Sequence, residues 1–206
     1  CARVFDHSVL HRMAAVSSVP VVNMLSDFAH PLQAVADVLT MQQSLGNLSG
    51  KTVTYVGDFN NVARSLCEAS AMLGKHIRLG CPEGYDAQDN ELLGLTELGA
   101  ASVEQYRDIA IAVTGAHAVH TDTWTSMGQE SESAEREAVF TGFEVTNEIM
   151  SLADSNAIFM HCLPAHRGQE VSPLVIDGPQ SKIYQQAHNR MHAARGVLAF
   201  LMGVQQ

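Results

Sequence analysis

Apolar and polar positions along the chain alternate between short runs with strand character and longer segments that repeat every three or four residues. V-P-V-V-N-M-L (19–25) reads as a strand. In the next segment, 30–45, Leu32, Val35, Val38 and Leu39 fall on one face of a helix. After a turn at N-L-S-G-K, residues 51–58 predict a strand, 60–74 a helix stopped by Gly74, and 76–80 a further strand. Strand, helix and strand with short joints make a βαβ unit, whose parallel strands need helices to cover them. Downstream, 106–113 is helix-like, while 118–124 and 157–164 are strands running into loops. Met191, Ala194, Val197, Leu198, Leu201 and Met202 form a helical stripe near the end, despite Gly196. The expected fold class is α/β, a parallel sheet flanked by helices.

Ligands of open α/β sheets bind outside the carboxyl ends of the strands. Three irregular stretches fall at such ends: G-D-F-N-N (57–61), D-T-W-T-S-M-G (122–128) and H-C-L-P (161–164). Their convergence is the main reason to expect an active site.

Composition narrows the classes. The 206 residues are 46% hydrophobic and 17% charged, which supplies a core and argues against disorder. With 22 acids against 12 bases the formal net charge is −10, and no basic stripe suggests nucleic acid. An anionic small molecule can still be bound by a few local arginines. Cys1, Cys67, Cys81 and Cys162 show no C-x-x-C spacing, which suits reduced thiols in a cytoplasmic setting. No run approaches the ~20 apolar residues of a membrane helix. The opening C-A-R-V-F-D-H-S-V-L-H-R-M lacks the apolar block of a secretory signal, so no membrane partner is expected.

Each stretch has a functional and a plain structural reading. In H-C-L-P, adjacent strand residues point to opposite faces, so His161 and Cys162 are poorly placed to share a metal, and none is expected. Cys162 is either an inert buried thiol or part of a pocket wall. Leu163 before Pro164 is expected to be extended, presenting its carbonyl to a ligand. G-D-F-N-N departs from G-x-G-x-x-G, which disfavours a nicotinamide cofactor. Asp58, Asn60 and Asn61 either grip a polar ligand or cap the next helix. Asp122 suits an ammonium group, and Ser126 is either a loop residue or the cap of the helix that follows. His30 and Gln33 sit at a helix start, where anions are favoured.

H-P-L-Q (30–33), G-D-F-N-N, D-T-W-T-S-M-G, H-C-L-P and the late H-N-R-M-H-A (188–193), in this order over nearly the whole chain, resemble the ornithine carbamoyltransferases. The resemblance implies transfer of a carbamoyl group from carbamoyl phosphate to the δ-amine of L-ornithine, giving citrulline and phosphate, with no cofactor. By the same resemblance Arg3 and His30 polarise the carbamoyl oxygen, Gln33 holds the carbamoyl nitrogen, and Arg190 contacts carbamoyl phosphate. Asn61, Asp122, Ser126 and Met127 correspond to the ornithine-binding set, and Cys162 and Leu163 lie between the two substrates. The implied organisation is a remnant of a carbamoyl-phosphate domain at 1–47, a Rossmann-like ornithine-binding domain at 48–186, and a helix at 187–206 packing back on the first part. The implied assembly is a homo-oligomer built on trimers.

The departures from the family pattern carry expectations too. The chain has no S-T-R-T phosphate loop, so about a domain's worth of sequence is expected to be missing and the chain alone to be weak or inactive. An exposed apolar face on the two flanking helices is then expected to favour association. Met24 and Phe59 stand where the family usually has glycine, so strain or crowding is expected if those turns need positive φ. Two rivals remain: a non-catalytic amino-acid-binding or assembly module, and a carbamoyltransferase acting on another amine.

Overall fold

The computed structural model describes residues 1–126 and 128–204. Strands β1 (Ala2–Arg3) and β2 (Asn23–Leu25) form a small parallel pair; β3 (Thr52–Val56), β4 (His76–Gly80), β5 (Ser102–Tyr106), β6 (Ala118–Thr121) and β7 (Ile158–His161) form a parallel sheet in the order β5-β4-β3-β6-β7. The helices are α1 (Ser8–Val16), α2 (Pro31–Leu45), α3 (Asn61–Met72), α4 (Asp89–Glu97), α5 (Ile109–Val113), α6 (Ser133–Val139), α7 (Asn147–Ser151), α8 (Pro173–Ile176) and α9 (Ile183–Leu201).

The sheet is covered on both sides, and its strands read accordingly: every residue of β3, β6 and β7 is buried. On one side Val53, Tyr55, Ile77, Leu79 and Met160 pack with Leu66, Cys67 and Met41 of the helices. On the other, Val56, Val119 and Phe159 meet Val113, Val145, Val171 and Ile176. From β3 the chain winds outward through β4 to β5, then returns to place β6 on the opposite flank of β3. The order reverses between β3 and β6, and a crevice opens at their carboxyl ends.

Local chemistry sets the element ends. Asn60 caps α3, its Oδ1 accepting from Val62 N at 2.9 Å and Ala63 N at 3.1 Å. Pro31 opens α2, where its missing N–H costs nothing.

The predicted strands overshoot. Of 19–25 only β2 is strand, because its partner β1 is two residues long and shifts register. β6 stops at Thr121 and β7 at His161, although the apolar pattern continues; Trp124 beyond β6 is buried by packing against Phe140 rather than by pairing. The last helix begins at Ile183, and its inward face is not the predicted stripe. Ile183, Gln186, Asn189 and Ala193 are buried, whereas Met191, Leu198, Leu201 and Met202 are exposed. The partner face on α2 explains this: Thr40 Oγ1 and Gln43 Oε1 accept from Asn189 Nδ2 at 2.9 and 2.8 Å, so that seam is built from amides.

Candidate active site

A cavity of about 700 Å³ lies over the crevice, between the ends of β3, β6 and β7, the start of α2, the β1 strand and α9. Arg3, His30, Gln33, Asn61, Asp122, Ser126, Cys162, Leu163 and Arg190 all line it. Met127 lies outside the described residues.

One end is acidic. Asp122 is delivered by the chain leaving β6 and is almost fully buried. Its Oδ1 accepts from Thr123 N at 2.8 Å and from Cys162 Sγ at 2.9 Å, and its Oδ2 from Asn60 Nδ2 at 2.9 Å. Burial, then the Asp122 charge, pushes the Cys162 thiol well above its ordinary range. Cys162 is therefore a neutral S–H donor that fixes the carboxylate, not a thiolate nucleophile. Asn61 donates through Nδ2 to Ser26 O at 2.6 Å, which leaves its amide oxygen and its second N–H for a ligand. Ser126 is not a helix cap: its N–H donates to Gln129 Oε1 at 3.0 Å, and α6 starts seven residues later, at Ser133.

The other end is basic. Arg190 Nη1 donates to His30 Nε2 at 3.1 Å and to Gln33 Oε1, bridging α9 to the start of α2. Burial, with Arg190 and Arg3 nearby, lowers His30 to about 4, so the ring is neutral near pH 7 and accepts from Arg190 through Nε2. His30 is held from its backbone as well, its N–H donating to Ser65 Oγ at 2.8 Å. Arg3, on β1, closes this side of the cavity. One pocket thus presents guanidinium donors at one end and a carboxylate at the other, which suits an anion beside an amine.

The H-C-L-P loop differs from expectation in two ways. Leu163 is not extended: its φ is +61°, and it is the non-glycine residue with positive φ among the described residues. Such a backbone costs ~1–3 kcal/mol and persists only where its surroundings hold it. They do: Leu163 N donates to His161 Nδ1 at 2.9 Å, and His161 Nε2 donates to the fully buried Glu170 at 3.1 Å. Secondly, because β7 ends at His161, alternation no longer separates the neighbours, and ligand atoms of Asp122, His161 and Cys162 lie within 4.8 Å of one another. Both nitrogens of His161 are engaged, however, and the Cys162 proton is given to Asp122. A metal would have to break the Cys162–Asp122 bond and one of the two bonds of His161, so the donor set as built does not fit one.

Neither Met24 nor Phe59 has positive φ, so the expected backbone strain is absent. Phe59 does line the pocket while packing into the core, with the Arg64 guanidinium 5.3 Å from its ring centre.

Several supporting residues carried no signal in the sequence. Arg136, buried on α6, donates through Nε to Trp124 O at 2.6 Å and pairs with Asp58, which ties the loop after β6 to the end of β3. Asp37 is fully buried below Gln33, and burial raises its carboxyl to about 7 despite hydrogen bonds from Gln33 and Gln186. A lone acid on an apolar helix face gives no motif; its spacing of four from Gln33 was the available hint.

Residues 1–43 match the model of the carbamoyl-phosphate-binding domain of aspartate/ornithine carbamoyltransferases, and residues 49–201 that of their Asp/Orn-binding domain. The chain is 50% identical over 206 residues to ornithine carbamoyltransferase of Hyperthermus butylicus, covering 98% of this chain and 65% of that protein. It is 48% identical over 203 residues to that of Parasynechococcus marenigrum, covering 98% and 64%. The solved ornithine carbamoyltransferase of Pyrococcus furiosus superposes with a TM-score of 0.91 at 44% identity, covering 99% of this chain and 66% of that one. The chain therefore spans a little under two thirds of the length of the curated relatives it matches.

Proposed function

The chain belongs to the aspartate/ornithine carbamoyltransferase family, and on that premise we propose that its pocket transfers the carbamoyl group of carbamoyl phosphate to the δ-amine of L-ornithine, forming citrulline and phosphate. The observation that carries this reading is that this one cavity is polar along its length, with Arg3 and Arg190 at one end and Asp122 at the other.

In this reading Asp122 receives the δ-ammonium. Its two oxygens, already fixed by Asn60, Thr123 and Cys162, orient the nitrogen toward the carbonyl without reorganisation. The δ-ammonium first releases one proton to solvent; the lone pair of the neutral amine then forms the N–C bond, and the carbonyl becomes a tetrahedral oxyanion. Arg3 and His30 stabilise that oxygen. The C–O bond to phosphate then breaks, the electron pair stays with the phosphate oxygen, and a second proton, shed by the nitrogen once it is bonded to carbon, is taken up by the leaving phosphate. Arg190 turns from Gln33 Oε1 toward the phosphate, which frees that oxygen to accept from the carbamoyl NH₂. Asn61 and Ser126 hold the amino-acid end of ornithine, and Cys162 and Leu163 lie between the two substrates. Met127 is assigned to the same set on its sequence motif alone.

No helix among the described residues is long and apolar enough to cross a membrane. We take the assembly to be a trimer-based homo-oligomer in the cytoplasm. The 206 residues include no S-T-R-T run, so turnover by this chain alone is expected to be slow. The test is citrulline formation by the folded chain with each substrate omitted in turn. Ornithine binding with no citrulline at any protein concentration would instead favour a binding module, and a preference for another amine would reassign the acceptor.

A further inference from the structure

Behind the pocket, between α2, α9 and the end of β7, runs a line of buried side chains that reaches the cavity only through Gln33 and Arg190. Asp37, Gln186 and His120 are each at most 1% exposed and form its middle. Asp37 Oδ1 accepts from Gln33 Nε2 and from Gln186 Nε2, both at 2.7 Å. Gln186 Oε1 accepts from His161 N at 2.9 Å, the backbone group beside Cys162. Gln186 Nε2 also lies 3.1 Å from His120 Nε2, and Asp37 Oδ2 lies 3.6 Å from that same nitrogen.

The chemistry of the partners fixes every amide. A backbone N–H only donates, so it takes the oxygen of Gln186 and turns the Gln186 NH₂ toward Asp37. Asp37 Oδ1 only accepts, so it takes the NH₂ of Gln33 and turns the Gln33 oxygen toward the cavity. There the oxygen meets Arg190, which only donates. An unconstrained glutamine has no such preference, and flipped it would aim NH₂ at both the guanidinium and the carbamoyl NH₂. Two donors facing each other in a buried site cost the desolvation of both.

We propose that Asp37 is a positioning residue, which through Oδ1 sets the acceptor oxygen of Gln33 toward the carbamoyl group and, through Gln186, ties that oxygen to the backbone beside Cys162. The carbamoyl and amine halves of the site, on elements about 130 residues apart in sequence, are thereby held as one unit. This rests on the carbamoyl-transfer reading above.

The role needs an acceptor at Oδ1 rather than a charge. Asp37→Asn keeps that oxygen and offers its NH₂ to His120, whereas Asp37→Leu keeps the shape and removes the acceptor. Calorimetry with carbamoyl phosphate should show Asp37→Leu weakened about tenfold and Asp37→Asn within about twofold of the parent. In a Gln33→Ala background, Asp37→Leu should cost nothing further, because the residue it positions is gone. Inorganic phosphate, which does not use Gln33, should bind Asp37→Leu within about twofold of the parent, whereas general damage to the fold would weaken both ligands. Gln186→Met is the second variant, read if circular dichroism shows Asp37→Leu unfolded, and it should lose about threefold toward carbamoyl phosphate.

Parental affinity in Asp37→Leu, or in Gln186→Met when that variant is the one read, overturns the proposal. So do additive losses with Gln33→Ala, or an Asn variant as weak as the Leu one. Failure of the parent chain itself to bind carbamoyl phosphate would sink the carbamoyl-transfer reading, and this proposal with it.

Discussion

The two ends of the pocket are built in different ways. The acidic end is assembled at strand termini: Asp122 follows β6, Cys162 follows β7, and Asn60 follows β3, so the sheet itself brings them within hydrogen-bond reach. The basic end has no sheet beneath it. His30 and Gln33 start one helix, Arg190 lies inside another, and the contacts between them span 160 and 157 positions in sequence. A sheet edge fixes position through its ladder. Two helices meeting across a seam need something else to fix their polar tips, and here buried amides around Asp37 do so. Polar residues inside a core cost stability unless fully paired, and they return specificity of arrangement.

The largest expected effect separates the ends by chemistry. Asp122→Asn replaces the carboxylate that receives the amine, and citrulline formation should fall about 10²–10⁴-fold, with carbamoyl phosphate affinity by calorimetry nearly unchanged. Equal loss of both would show that the ends are not separable. Arg190→Met should produce the complementary pattern, weakening carbamoyl phosphate about 10- to 100-fold while leaving ornithine affinity within a few fold.

A smaller effect distinguishes orientation from nucleophilic chemistry at Cys162. Iodoacetamide at pH 8 should label exposed Cys1 first and spare Cys162 and Cys67, whose thiols burial raises, Cys67 to about 12. Mass spectrometry of peptides checks this; rapid labelling of Cys162 would mean a thiolate is present.

The smallest effect concerns stability. The Asp37 carboxyl lies at about 7 in the folded chain against an ordinary 3.8, so the folded state binds this proton more tightly than the unfolded one. That contribution is fully present below about pH 4 and is lost as pH rises through about 7. Asp37→Asn, permanently neutral, should therefore melt about 5 °C above the parent at pH 8 and close to it at pH 4, by thermal denaturation. A constant difference across that range would show that charge burial is not what Asp37 costs. His30 and His120, lowered to about 4 and about 3, act in the opposite sense and destabilise both proteins alike as pH falls below about 6.5.

The same contrast describes what the sequence discloses. The acidic end was legible because its residues lie where apolar strand patterns break, and such breaks at strand ends mark where ligands bind in this architecture. The alternating order of elements was legible for the same reason. The extents of β2, β6 and β7 were overrun because apolar residues such as Trp124 continue into loops that are buried by packing. Leu163 departs from the extended backbone that the proline rule favours because tertiary bonds from His161 and Glu170 override it. At the basic end, His30, Gln33 and Arg190 were found through motifs. Asp37, Gln186 and Asn189, which position the two helices, read as ordinary interruptions of an apolar pattern; only the seam shows that each has a partner.

The most direct test of the central claim, one pocket with a carbamoyl donor at its basic end and an amine at its acidic end, is citrulline formation from carbamoyl phosphate and ornithine by the folded 206-residue chain at high protein concentration, beside Asp122→Asn. The account predicts slow, saturable citrulline formation that requires both substrates and falls at least 100-fold in the variant. Citrulline formed with either substrate omitted, or at the same rate in the variant, would contradict it.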